Sequence, residues 1–133
     1  MVHRELTSTC EAVEQIHYLP VKPLSFYSFV LWLLRKRNRF RIRGSSMVPT
    51  LVDGQEILVR LYRPSHHEVN VGDVILIQHP IQSGIQMVKR VTSIDDEDSI
   101  TVRGDKEEES TDSRHFGRIR KRHILGVVDC SFP

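Results

Sequence analysis

The sequence has little cysteine. Cys10 and Cys130 stand near opposite ends, with no spacing that suits a metal site. This argues against a disulfide-built scaffold. It reads most simply as two free thiols in a reducing, cytoplasmic setting, with a bridge between the ends left open. Long hydrophobic runs are also missing. The longest, residues 24–34, falls well short of the roughly 20 residues that a spanning helix needs. Residues 1–23 carry His3, Arg4, Glu5, Glu11 and Glu14 and lack the apolar core of a secretory signal. Charge of one sign is scarce as well. The formal net charge is +2, too small to argue for nucleic acid, and no repeat or low-complexity segment is present.

What remains is an ordinary soluble composition. In 133 residues, 39% are hydrophobic and 27% charged, enough for one domain with a real core. Pro20 and Pro23 close an irregular leader, and residues 24–34 predict a short helix rich in leucine and aromatics. Residues 35–43 hold six basic side chains in nine, and Phe40 and Ile42 alternate with Arg39, Arg41 and Arg43 as in a half-buried strand. The charges suit a solvated strand face. The sharper reading is attraction to an anionic membrane surface beside the apolar helix, at about 1 kcal/mol per basic residue. No aromatic platform or recognition helix accompanies them, so no nucleic acid is expected.

Beyond residue 51 the chain alternates short apolar runs with turn signals. Strands are expected at 56–62, 74–77, 85–94, 99–103 and 124–128, with turns at Val52-Asp53-Gly54, Val71-Gly72-Asp73, 81–84 and 95–98. Residues 104–117 read as a long polar loop without hydrophobic periodicity, more often functional than idle. The expected fold is all-β: a single small domain of short, mostly antiparallel strands with a short N-terminal helix. The leader and helix would occupy residues 1–38 and the β-domain residues 39–133.

Two stretches carry the chemistry. Gly44-Ser45-Ser46-Met47-Val48-Pro49-Thr50-Leu51 reads as a stiff turn presenting a serine, because Pro49 fixes its own φ and restricts Val48. Serine is a weak nucleophile and needs a base. Lys89 lies within an apolar alternating run, where loss of water would lower its pKa. Together they point to a Ser–Lys hydrolase, with Ser46 as nucleophile and Lys89 as general base. Seven histidines raise the question of a metal. His66 and His67 are adjacent, so in a strand they would face opposite ways, and His79, His115 and His123 are scattered. No metal or cofactor is expected.

Four ordered motifs then stand out: Ser46-Met47-Val48-Pro49-Thr50-Leu51, Val88-Lys89-Arg90-Val91, Gly104-Asp105, and Ser110-Thr111-Asp112-Ser113-Arg114-His115-Phe116-Gly117. With Val71-Gly72-Asp73-Val74, they resemble the successive boxes of the type I signal peptidases, serine proteases of the Ser–Lys class. The resemblance runs from residue 41 to residue 128. Val71-Gly72-Asp73-Val74 followed by His79-Pro80, Met87 to Val91, and Glu109 to Gly117 followed by Ile124-Leu125-Gly126 are most similar to the nickel-type superoxide dismutase maturation branch.

The resemblance implies several roles. Ser46 and Lys89 would be catalytic, and Ser110 would hold the lysine. Asp105 with Arg90, and Asp112 with Arg114, would form structural ion pairs. The Ser46 amide would donate to the oxyanion, with Gly44 and Ser45 supporting the site. Many bacterial signal peptidases place a serine hydroxyl where this chain has Gly44, so the second oxyanion donor is unassigned. Lys106 stands where asparagine is usual. The implied partner is a precursor protein that loses an N-terminal extension, the nickel belonging to that substrate. Peripheral membrane contact would run through residues 24–43. Rival readings are a general signal peptidase, a repressor-type autoprotease, and a non-catalytic β-domain that binds peptides or lipids.

Overall fold

The computed structural model describes residues 20–33 and 37–132. Most of the expected leader, Cys10 with it, lies outside these residues, as does Leu34 at the end of the expected helix. Helix α1 spans Phe26–Leu33. Ser25 caps it, its Oγ accepting the Ser28 N–H at 3.2 Å. Seven strands follow: β1 (Asn38–Arg41), β2 (Glu56–Leu61), β3 (Val74–Gln78), β4 (Gln86–Ile94), β5 (Ser99–Arg103), β6 (Ile119–Arg120) and β7 (Ile124–Ser131). They form one antiparallel sheet in the order β1-β2-β7-β3-β4-β5-β6. The all-β expectation holds.

Strand alternation sends successive side chains to opposite faces, and here both faces are covered. In β3, Ile75 and Ile77 join a core with Val91, Ile100, Val102, Ile119 and Val127. Val74 and Leu76 join a second core with Ile42, Met47, Leu51, Ile57, Val59 and Val128. A flat sheet could not enclose two such cores. Register irregularities at Leu58/Val59, Leu76/Ile77 and Val91/Ser93 bend the strands, so the sheet curls on itself.

Two expectations need correction. The polar stretch 104–117 is not simply a loop. It contains a 3-10 turn, Glu107–Glu109, and a one-turn helix α2, Ser113–Phe116, capped by Asp112. Strand β7 runs on to Ser131, and β6 exists although it has only two residues and no periodicity to reveal it. The sequence leaves open whether α1 packs on the domain or faces a membrane or partner; Ser28 is buried, its Oγ donating to Asp129 at 3.1 Å, while Phe26 and Tyr27 are 82% and 70% exposed. Trp32 packs edge-on to Phe132, and the Arg39 guanidinium lies over both rings. No described helix is long and apolar enough to cross a membrane.

Candidate active site

Residues 44–51 join β1 to β2 through a sequence of turns anchored at two points. Met47 and Leu51 are buried in the second core, and Leu51 N–H donates to the Met47 carbonyl at 2.9 Å. Ser46, next to the first anchor, is half-buried. The Val48–Pro49 peptide bond is cis. Gly44 has φ +86°, a left-handed conformation that side chains rarely adopt, and its N–H donates to Asp53 at 2.7 Å. Three contacts from elsewhere hold this turn. The Lys106 N–H donates to the Ser46 carbonyl at 2.8 Å. The Ser45 hydroxyl donates to Glu109. The Thr50 hydroxyl donates to Asp105.

Consecutive residues of β4 reach the two ends of the turn. Lys89 is buried, with Nζ 3.1 Å from Ser46 Oγ and 3.0 Å from Ser110 Oγ. Arg90, also buried, forms a two-pronged pair with Asp105 at 2.9 and 2.8 Å, and donates to Thr50 and to the Gly72 carbonyl. The fold thus brings residues 46, 89 and 110 into one cluster, although Ser46 and Lys89 are 43 positions apart.

The Ser110 hydroxyl has a fixed direction. It lies 2.8 Å from Asp112 Oδ2, and because an ionised carboxylate only accepts, the Ser110 proton goes there. Toward the Gly104 N–H at 3.1 Å and toward Lys89, the same oxygen is therefore an acceptor. Burial alone would raise the Asp112 carboxyl. Hydrogen bonds from Arg114, the Gly104 amide and Ser110 outweigh that and hold it far below the usual carboxylate range. Arg114 meets Asp112 at 3.0 and 3.1 Å. Burial likewise sets Lys89. It draws the amine down from 10.5 to about 8, against the attraction of Asp112 and Asp105 and with help from Arg114.

This arrangement has a chemical consequence. A neutral amine carries two N–H donors and one lone pair. One N–H is committed to Ser110, so the lone pair can face Ser46 and accept its proton. The Ser46 N–H makes no hydrogen bond among the described residues and remains available to a developing oxyanion. The Gly44 amide and the Ser45 hydroxyl are engaged with Asp53 and Glu109.

Other groups here escape sequence reading. Gly104 has no room for a side chain, since a Cβ would come within 2.2 Å of Ser110 Oγ and 2.6 Å of the Ser46 carbonyl oxygen. Lys106 acts through its amide, while its ammonium turns away to Glu109 at 2.8 Å. Glu109 links the 3-10 turn to Ser45 and Lys106 together. A Gly-Asp pair signals a turn, but only the packed structure shows what the turn touches. His115 Nδ1 accepts the Asp112 N–H in the α2 cap, and His79 Nδ1 accepts the N–H groups of Ile81 and Gln82. Among the described residues no group of three His, Cys, Asp or Glu side chains could hold a metal ion.

Beside Ser46 lies a cleft of about 230 Å³, walled by Phe40, Arg41, Ile42 and Arg43 on one side and by Gln86, Met87, Val88 and Lys89 on the other. Met47 and Leu76 complete its lining. The comparison with curated proteins finds no match. The family model described as signal peptidase, peptidase S26, matches residues 21–97, more than half of the chain and inclusive of Ser46, Lys89 and both walls of the cleft. The chain therefore belongs to the S26 signal peptidase family of serine-type peptide hydrolases.

Proposed function

We propose that this peptidase uses Ser46 as nucleophile and Lys89 as general base to remove the N-terminal extension of a precursor, and that the precursor is that of a nickel superoxide dismutase. The observation that carries the catalytic assignment is the 3.1 Å approach of a buried, partly neutral Lys89 amine to Ser46 Oγ. Neutral Lys89 takes the Ser46 proton as Oγ attacks the scissile carbonyl. The Ser46 amide receives the oxyanion. Lys89 passes the proton to the leaving amine, then activates the water that hydrolyses the acyl-enzyme. Ser110, its O–H donated in a hydrogen bond to Asp112, keeps the amine oriented through the cycle.

The cleft takes its substrate as an extended strand. Strand β1 is an edge of the sheet, and residues 40–43 and 86–89 line the groove. Main-chain pairing there fixes the peptide, and side-chain pockets choose it. The choice of nickel superoxide dismutase rests on the motif resemblance at 71–80, 87–91 and 109–126. Phe26 and Tyr27, turned outward on α1 beside the basic stretch that follows, support peripheral contact with an anionic membrane surface.

Incubation with the nickel superoxide dismutase precursor, followed by sequencing of the product's new N-terminus, tests the whole reading. A single cut that frees the nickel-binding terminus is expected, and none with Ser46→Ala or Lys89→Ala. If the precursor stays intact while exported-protein leaders are cut, the substrate assignment fails and a general leader peptidase takes its place. Cleavage by Lys89→Ala at near wild-type rate would end the dyad assignment.

A further inference from the structure

The cleft beside Ser46 is unevenly charged. Arginines stand at alternate positions 39, 41 and 43 of the chain, and Arg41 and Arg43 line the cleft. Glu56 engages the first two, pairing with Arg39 and, at 2.7 Å, with Arg41. Arg43 lines the cleft with Ser46 and Lys89, is exposed, and has no ion pair or hydrogen bond among the described residues. No acidic side chain lines the cleft. In the nearby acidic turn, Glu107 pairs with Arg103 and Glu109 with Lys106 and Ser45, while Glu108 is exposed and does not line the cleft. In Arg43 the groove therefore presents a guanidinium fork with no ion pair among the described residues, which suits a carboxylate in two-point contact.

We propose that Arg43 is a specificity residue that selects substrates with Asp or Glu within about three residues of the scissile bond. Two residues, Gly44 and Ser45, separate Arg43 from Ser46, and the three chain steps between them put their Cα atoms at most about 11 Å apart. An extended peptide in the groove advances about 3.3 Å per residue, so Arg43 lies within reach of a residue no farther than the third from the cut. The inference deepens the Ser46–Lys89 reading and rests on it.

Digestion of a proteome-derived peptide library, with product ends read by mass spectrometry, tests it. The wild type is expected to enrich Asp and Glu about tenfold at one position within three of the cut, less in high salt. Arg43→Gln is expected to lose the enrichment, and Arg43→Glu to replace it with Lys and Arg. Acidic enrichment that is absent, or that persists in Arg43→Gln, overturns the assignment. A small serine-acylating probe separates the two claims. Ser46 labelling without acidic preference overturns the role of Arg43 alone. Neither labelling nor Ser46-dependent cleavage overturns the peptidase reading and this inference with it.

Discussion

Replacing Lys89 by methionine should reverse its effect on stability between pH 7 and pH 10.5. Lys89 is 3% exposed, and burial lowers its pKa from 10.5 to about 8. At 1.36 kcal/mol per unit, the ammonium destabilises the folded protein by about 3 kcal/mol near neutrality. The sign follows from linkage. Below pH 8 both folded and unfolded chains hold the proton, and the folded state carries the full penalty. Between about 8 and 10.5 only the unfolded chain still holds it, so stability rises with pH. Methionine has no such penalty, but it loses the contacts to Ser46 and Ser110, about 1 kcal/mol each. The variant should therefore be about 1 kcal/mol more stable than wild type at pH 7 and about 2 kcal/mol less stable at pH 10.5. Urea unfolding of both proteins across this range measures the difference, and every other titrating group cancels in it. A difference flat to within about 0.5 kcal/mol would refute the claim of a desolvated amine. The same amine predicts that kcat/KM rises about tenfold per pH unit below 8 and levels off above it.

Gly104→Ala should cost about 1–3 kcal/mol and most of the activity, because its Cβ would strike Ser110 and the Ser46 carbonyl together; urea midpoints and cleavage rates give both. Arg90→Met strands a buried Asp105 and should cost about 3–5 kcal/mol, read from the same unfolding curves. Phe26→Ser with Tyr27→Ser should weaken flotation with anionic vesicles about tenfold or more while cleavage of a soluble peptide is unchanged, since both side chains point away from the sheet.

Most strands are legible in the sequence as short apolar runs between turn signals, continuous where both faces are covered, as at Val74 to Ile77, and alternating where one is, as at Ser99 to Arg103. Val74 to Ile77 and Ser99 to Arg103 are bounded by turns whose glycines or acidic residues announce them. What escapes is whatever depends on distant packing. Strand β6 exists through pairing of Ile119 with Ile100, and α2 through Asp112, which caps it while binding Arg114, Ser110 and Gly104. The sequence of α1 suits packing or a surface position alike, and only the fold shows Phe26 and Tyr27 exposed and Ser28 buried. At the site, Ser46 and Lys89 can be singled out by residue type and setting. The Lys106 amide and the constraint on Gly104 cannot, because backbone contacts leave no mark on composition.

The ion pairs explain why burial prevails at Lys89. Two carboxylates, Asp112 and Asp105, each favour its protonated form. Each is paired with its own guanidinium, Arg114 and Arg90, and Arg114 directly opposes the pull of Asp112 on the amine. Neutralising Arg114 should expose the attraction of Asp112. In Arg114→Gln, Asp112 keeps the Ser110 and Gly104 hydrogen bonds and stays ionised at neutral pH, and the Lys89 pKa rises from about 8 toward its ordinary value. The midpoint of the pH–rate profile should move up by about one unit, with cleavage at pH 7 falling about tenfold and recovering in alkaline buffer. Arg114→Lys restores the charge and should return the midpoint toward 8. A loss of rate at every pH with the midpoint unmoved would instead assign Arg114 to its bond with the Glu107 carbonyl, a support for the loop rather than a control on the amine.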